Sequence, residues 1–383
     1  MNILIIGAGP VGATFALLAV RLGLNVSLVE SREGASRESR TLALSQGSRE
    51  ILNVAGVWAA VKNTTEIHTI HNSQKGGFGR TIMSREDGNV PALGYVLTYA
   101  DLQAALDDEL LVKAVKVARG AVVTAIAETV AGAEVTFLQQ GVEVKQQADV
   151  VVMADGGANL SKVAAISVSE KDYEQTALLG HIETDAPHQH RAFERFTPDG
   201  PAALLPKHGA HSYSLVWVAG AEKIEQLKAL DEPAFCAAFQ DHFGYRAGQF
   251  LSITERRSYP LKLRTVSTAV AGHVAVIGNA AQALHPVAGQ GFNLGLRDAE
   301  SLASTLAKAL VNKASATTAL SAYAAGRSRD VSRSVGFTDF LVSTFSNDHL
   351  LQRIPRGLGL AIVDVLPFAR KALARRMLFG AEK

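Results

Sequence analysis

Asn2-Ile3-Leu4-Ile5-Ile6-Gly7-Ala8-Gly9-Pro10-Val11-Gly12 opens the chain, and an apolar stretch to Leu22 leads through Gly23 into Asn25–Glu30. Asn2 to Ile6 is short, β-branched and almost wholly apolar, the pattern of a central parallel strand covered on both faces. Val11 to Leu22 is rich in Ala and Leu and reads as a helix, with Gly23 as its C-cap. Asn25 to Val29 reads as a second strand ending at Glu30. In this strand–turn–helix–strand order each glycine has a physical task. Gly7 permits the tight change of direction, Gly9 lets a pyrophosphate approach the backbone, and Gly12 lets helix pack closely on strand. Free N–H groups and the helix dipole at the helix start favour phosphate charge. Glu30 is placed to accept hydrogen bonds from ribose hydroxyls and would repel a 2′-phosphate. The stretch predicts a dinucleotide site built from Gly7, Gly9, Pro10, Val11, Gly12, Glu30 and Ser31.

The chain has 383 residues, enough for two domains or one large domain with a subdomain. It is 48% hydrophobic and 19% charged, a globular composition. A net charge of +2 gives no electrostatic case for nucleic acid. The single cysteine, Cys236, excludes an internal disulfide and a thiolate zinc site, and reads as a buried apolar filler. No basic segment precedes the first apolar run, so it does not read as a signal peptide. No uninterrupted run of about 18 apolar residues occurs, so no spanning helix is predicted. The expected location is cytoplasmic, or peripheral at the inner face of a membrane.

Farther along, Thr98 to Leu111 reads as a helix with Leu102, Leu106 and Leu110 on one face. Strand-like runs follow at 114–118, 121–126, 134–138 and 141–146, and Asp149 to Ala154 is another apolar strand running into Asp155-Gly156-Gly157. Residues 173–264 are richer in His, Pro and aromatics and alternate more, as at Ser212 to Val218. They predict a mixed or antiparallel sheet. His273 to Ile277 returns to the parallel-strand style, and the chain reads as mostly helical from Gln290.

A second cluster is more discriminating: Gly278-Asn279-Ala280-Ala281-Gln282-Ala283-Leu284-His285-Pro286-Val287-Ala288-Gly289-Gln290-Gly291-Phe292-Asn293, continuing to Asp298. An apolar strand delivers Gly278-Asn279, a Pro–Gly loop follows, and a helix starts near Gly291. The N–H groups there would be aimed at whatever sits in the loop, which in a flavoprotein would be the electron-rich edge of the isoalloxazine that becomes anionic on reduction. Together with Gly7, Gly9 and Gly12, the cluster resembles the single-component flavin aromatic hydroxylases, and among them the ubiquinone-biosynthesis hydroxylase family. Ser39-Arg40-Thr41-Leu42-Ala43-Leu44-Ser45 is similar to that family's Arg-x-x-Ala-Leu stretch, and Tyr259-Pro260-Leu261 also fits. The resemblance spans roughly residues 1–326.

The resemblance implies bound FAD, with NAD(P)H and O2 as cosubstrates, and hydroxylation of a polyprenylated phenol by oxygen activated on the reduced flavin. It implies an α/β fold. Residues 1–172 and 266–345 would form a discontinuous Rossmann-type FAD-binding domain that includes part of the substrate side around 68–97. Residues 173–265 would form the inserted β-sheet substrate domain, and 346–383 a helical C-terminal segment. Asp155, Gly278, Asn279, Gly289, Gln290, Gly291, Phe292 and Asn293 would contact the cofactor, and Pro286 and His285 would shape the ring site. Arg40 has two readings, a contact to the flavin or incoming nicotinamide and a surface ion pair. His285 likewise reads either as a donor to flavin or substrate or as a packed structural residue. No other catalytic side chain is named, because the flavin carries the chemistry.

Three departures stand out. Asn279 occupies a position where Asp is usual, Ala100 one where Arg or Gln is common, and Gly157-Ala158-Asn159-Leu160-Ser161-Lys162 displaces the usual Ser and Arg. Phe193, Phe196, Leu204, Leu205, Pro206, Tyr213 and Trp217 are candidates for an apolar substrate pocket, with strand-core packing as the competing explanation. His188 and His190 read as a solvated loop, and no metal site is predicted. From Arg353 to Phe379 basic and apolar residues interleave at helical spacing. That suits either a helix lying on anionic lipid or one packed on the domain with a solvated basic face. Two other functional readings remain, a flavin hydroxylase of another aromatic and a degenerate scaffold in a quinone-biosynthesis complex.

Overall fold

The computed structural model describes residues 1–76, 80–285, 289–345 and 364–380, with side chains from 337 to 345 excepted. Asn2–Ile6 lies inside a six-stranded sheet, parallel to Val150–Met153 on one side and to Asn25–Glu30 on the other. Lys116–Arg119 extends the sheet past Glu30, and Val274–Val276 extends it past Met153. The uninterrupted apolar run of the first strand is needed because both faces are covered. Ile3 and Ile5 point into a core with the helices Pro10–Arg21, Tyr99–Val112 and Gln290–Val311. Leu4 and Ile6 point the other way, against a three-stranded antiparallel meander at 121–129, 132–139 and 142–148. Leu4 and Ile5 have no exposed surface, and burying each such side chain stabilises the sheet by about 1.5–3 kcal/mol.

The second layer is an eight-stranded sheet in the order 282–283, 250–266, 168–184, 212–219, 202–206, 191–196, 69–74 and 80–84. It is mixed, because Arg191–Phe196 runs parallel to Thr69–Gln74 while its other pairings are antiparallel. The middle of the chain was expected to be sheet alone, yet it carries two helices, Ala221–Ala229 and Glu232–Phe243. The second is started by Asp231, whose carboxylate accepts the Ala234 N–H at 2.8 Å, with Pro233 in the first turn. These helices cover one face of the sheet through Ile224, Leu227, Phe235, Phe239 and Phe243.

A small sheet of 41–45, 94–98 and 65–67 joins the two layers. The C-terminal part is helical, with Ala316–Phe345 and Pro367–Phe379. Cys236 is buried, as a filler should be. The expectation of a solvated loop at His188 is not met. His188 is 7% exposed, bonds the Lys207 carbonyl at 3.1 Å and sits edge-on to Tyr213. Its imidazole satisfies a carbonyl inside the sheet layer.

Candidate active site

The turn after the first strand holds Gly7 at φ +99, where a Cβ would lie 2.8 Å from the backbone of Ala154 and Asp155. A Cβ on Gly12 would overlap the Gly7 carbonyl oxygen, so no side chain fits there. The helix begins at Pro10 with Gly9 as N-cap and no side chain capping it. Its first N–H groups are therefore left for a ligand. Glu30 is 9% exposed and accepts the Ala8 N–H at 2.6 Å and the Arg32 N–H at 2.8 Å. The carboxylate is thus held beside the glycine turn, with Ser31 exposed next to it.

Gln103 supplies what sequence reasoning missed at this end of the site. It is 1% exposed, and its amide nitrogen donates to the Ala8 carbonyl at 2.9 Å and to Asp107 at 3.0 Å. Its amide oxygen is buried without a partner. An orphaned acceptor beside an uncapped helix start is the polarity a nucleotide hydroxyl would satisfy. The departure at Ala100 thus lies one turn from a polar side chain that reaches the glycine loop.

Val11 connects the two glycine clusters. A Cβ on Gly278 would come within 3.0 Å of the Val11 side chain, and one on Gly295 within 3.0 Å of both Val11 and the Gly278 Cα. Gly295 has no role in the sequence reading, although its spacing on the helix face after Gly291 was visible. Asn279 is exposed, and its carbonyl accepts from Arg264 at 2.9 Å. The same guanidinium bonds the Gly156 carbonyl, so Arg264 ties the Asp155 turn to the Gly278 turn. Asp155 accepts the Gly157 and Asn159 N–H groups, each at 2.9 Å, and Asn159 in turn accepts from Lys162 at 2.7 Å. The displaced stretch after Asp155 is therefore a self-consistent turn.

The second helix starts at Gln290 behind Gly289, which is left-handed at φ +59, and again no side chain caps it. Gly291 and Phe292 stand in its first turn, Phe292 packing on the large core. Asn293 is 3% exposed and its bonds stay within the protein. It accepts from the Ser45 N–H at 2.8 Å and the Ser48 hydroxyl at 2.7 Å, and donates to the carbonyls of Ala43 at 3.1 Å and Gly289 at 2.7 Å. It fixes the helix start against strand Thr41–Ser45. His285 is 1% exposed, bonds Gln175 at 3.2 Å and meets Tyr173 edge-on, and burial pushes it down to about 4. The geometry is that of a packed neutral imidazole. Pro286 lies outside the described residues. Arg40 pairs with Glu38 at 3.1 Å and stacks over Tyr99, whose hydroxyl is 3.5 Å from where a Gly9 Cβ would be.

Beside Gly289, Gln290 and Asn293 opens an apolar cavity of about 140 Å³, close to the size that holds one aromatic ring. Its walls include Ile67, Met83, Ala203, Leu205, Val216 and Val218. Of the candidate substrate residues, Leu205 and Phe193 line it, while Leu204, Phe196, Pro206, Tyr213 and Trp217 do not. The reason is the two-residue period of a strand. Val216 and Val218 face the cavity, so Tyr213 and Trp217 face the helices at 221–243, in one core with Leu204 and Phe239. Pro206 is the register partner of Tyr213, which puts it on the same face, and Phe196 is buried away from the cavity walls. Ala374, Met377 and Leu378 of the last helix close the cavity.

A Rossmann-type layer with two uncapped, glycine-led helix starts, the second of them beside an apolar, ring-sized cavity, defines a flavoprotein that works on an aromatic substrate. The family model described as FAD binding domain matches residues 1–338. The chain is 31% identical to ubiquinone hydroxylase UbiL of Rhodospirillum rubrum, over 95% of this chain and 86% of that protein. It is 28% identical to 3-demethoxyubiquinol 3-hydroxylase of Escherichia coli, over 95% and 94%. The crystal structure of p-nitrophenol 4-monooxygenase PnpA from Pseudomonas putida superposes with a TM-score of 0.81 at 16% identity, covering 100% of this chain and 98% of that one, a likeness of fold. The chain belongs to the FAD-dependent hydroxylase family of ubiquinone biosynthesis, and it is an FAD-dependent monooxygenase.

Proposed function

We propose that the chain hydroxylates the aromatic ring of a polyprenylated phenol on the route to ubiquinone, using NAD(P)H and O2. Bound FAD would supply electron transfer and oxygen activation. Gly7, Gly9, Gly12, Glu30 and Gln103 would hold its adenosine and pyrophosphate, and the start of the Gln290 helix its ring. The observation that carries the substrate class is the cavity, with mostly apolar walls interrupted by Ser45, Glu194, Gln290 and Asn293, and the start of the Gln290 helix at one side. Such walls favour a ring with a hydrocarbon tail over a polar aromatic. The test is turnover of the FAD-loaded protein with NAD(P)H, O2 and a short-chain prenylphenol. A product one oxygen heavier is expected. Turnover confined to small polar phenols would overturn the substrate class.

The last helix supports a second element of this reading, contact with an anionic membrane. Ala374 and Leu378 are buried, while Phe368 is 70% exposed beside Lys371, Arg375 and Arg376. One face of the helix closes the cavity and the other is basic with an exposed aromatic. Among the described residues no helix is long and apolar enough to cross a membrane. Flotation of the whole chain with anionic vesicles, compared with a chain ending at Gln352, tests the contact, and equal flotation would overturn it.

A further inference from the structure

We propose that the protein binds a phosphate group between Arg195, Ser73, Arg80 and His71, on the face of the eight-stranded sheet opposite the cavity. Strand register builds the site. Arg195 stands opposite Ser73 on the neighbouring strand, and Ser73 stands opposite Arg80 on the edge strand. The three side chains therefore form one row on one face of the sheet. Ala192 and Glu194 take the other face, where the cavity lies. His71 is two positions from Ser73 and shares its face, tilted against Phe193 with ring centres 5.7 Å apart. Arg191 lies on that face as well, four positions before Arg195, and Arg246 comes from the loop behind the helix Glu232–Phe243.

The charges in this cluster do not cancel. Arg80, Arg191 and Arg246 are exposed, whereas Arg195 is 8% and His71 9% exposed. Among the described residues none of the four guanidiniums has a carboxylate partner. Burial, and then Arg246, Arg80 and Arg191, hold His71 below its ordinary value. Burial and Arg246 push Arg195 down to about 10. Arg246 thus bears on both buried groups. A buried guanidinium next to another cation is costly unless an anion answers it. Arg195 donates from Nη1 to the Ser73 hydroxyl at 3.3 Å, and its Nε is buried with no partner. The His71 Nδ1 is likewise buried with no partner.

The donor set selects the ligand chemistry. Arg195, Arg80, the Ser73 hydroxyl and a neutral imidazole with its proton on Nδ1 can all donate. Adjacent strands lie about 4.8 Å apart, so the two arginines rise from backbones about 10 Å apart with only a serine between them. That is a span across which two guanidinium forks can clamp one tetrahedral anion. A carboxylate has two oxygens to share among these donors, whereas a phosphate has three or four and carries the larger charge. Two sources carry this chemistry, free phosphate and the 2′-phosphate of NADPH.

The experiment titrates inorganic phosphate into the FAD-loaded protein by calorimetry, with ionic strength held constant by sodium chloride so that general screening does not change. Wild type is expected to bind phosphate saturably, one per chain beyond the FAD, and to melt at a higher temperature when it is bound. Arg195→Met and Arg80→Gln are each expected to raise the phosphate Kd about tenfold or more, the worth of a hydrogen bond to a charged group. Lys116→Gln, which removes an exposed cation from the other sheet, should bind phosphate as wild type does. A purely structural Arg195 would make Arg195→Met melt lower in phosphate-free buffer. An anion-binding Arg195 predicts a melting temperature there no lower than that of wild type, with the phosphate-induced rise lost. The exposed Arg80→Gln carries the test should Arg195→Met misfold. Competition by NADPH and not by NADH would identify the 2′-phosphate as the source, and competition by neither would identify free phosphate. A wild type without saturable phosphate binding, or variants that bind phosphate as tightly as wild type, would overturn the inference.

Discussion

Arg327 and Asp298 form a buried ion pair at 2.7 Å, with side chains 7% and 2% exposed. The Asp298 carboxylate also accepts the Gly278 N–H and the Gln282 amide, each at 3.0 Å. One carboxylate thus joins the helix Ala316–Phe345 to the Gly278 turn. The Asp298 charge holds the Arg327 guanidinium above its usual range despite burial. Arg327→Met is expected to destabilise the fold by about 3–5 kcal/mol, because it strands a buried charge. The double variant Asp298→Asn with Arg327→Met should recover much of that loss. Urea unfolding of the three proteins checks it, and equal midpoints for single and double variants would refute the coupling.

Glu30 accepts the Ala8 and Arg32 N–H groups, and the task proposed for the same carboxylate is to accept from a ribose. Glu30→Ala is expected to weaken FAD binding about 10- to 100-fold. Equilibrium titration of the apoprotein, followed by flavin fluorescence, measures it. A change below threefold would place the ribose elsewhere.

The glycine clusters were legible because a short chain segment imposes its own geometry: Gly7 turns at positive φ, Gly12 answers to the Gly7 carbonyl and Gly278 to one neighbouring helix, although the backbone that Gly7 approaches, at Ala154 and Asp155, is distant in sequence. Gln103 and Arg264 were not, since their partners Ala8 and Gly156 lie 95 and 108 positions off. Nothing local distinguishes such residues from surface polar ones. Tyr213 and Trp217 failed differently. Alternation marked the strand as two-faced, and only register decides which side meets the cavity and which the unexpected helices.

Two buried histidines make stability depend on pH. Burial, with Lys75, Arg195 and Lys223 nearby, pushes His242 down to about 3, and burial alone takes His285 to about 4. Both are neutral in the fold and would charge on unfolding near the ordinary value of about 6.5. Their contribution is complete above about 6.5 and is lost as pH falls toward 4 for His285 and toward 3 for His242. His242→Phe should remove part of that slope while keeping the ring contact with Trp217. Melting temperatures of both proteins from pH 7 down to about pH 4 test it, and parallel curves would count against a neutral buried His242.

Strand alternation makes opposite predictions for two near neighbours, Ala203 and Trp217. Ala203 lines the cavity, whereas Trp217 is 2% exposed and packs on Phe235 and Phe239 at ring distances of 5.8 and 5.1 Å. Ala203→Phe adds a ring to a space of about 140 Å³, so it should raise the substrate Kd at least about tenfold. Melting and FAD content should barely change, because the added ring grows into empty volume. Trp217→Ala should cost about 3–5 kcal/mol of stability, the usual consequence of emptying an aromatic site in a core. Its folded fraction should bind substrate as wild type does. Calorimetric melting and substrate titration on both variants separate the two effects. A Trp217→Ala protein with normal stability and lost binding would mean that the substrate enters from the helix-covered face of the sheet.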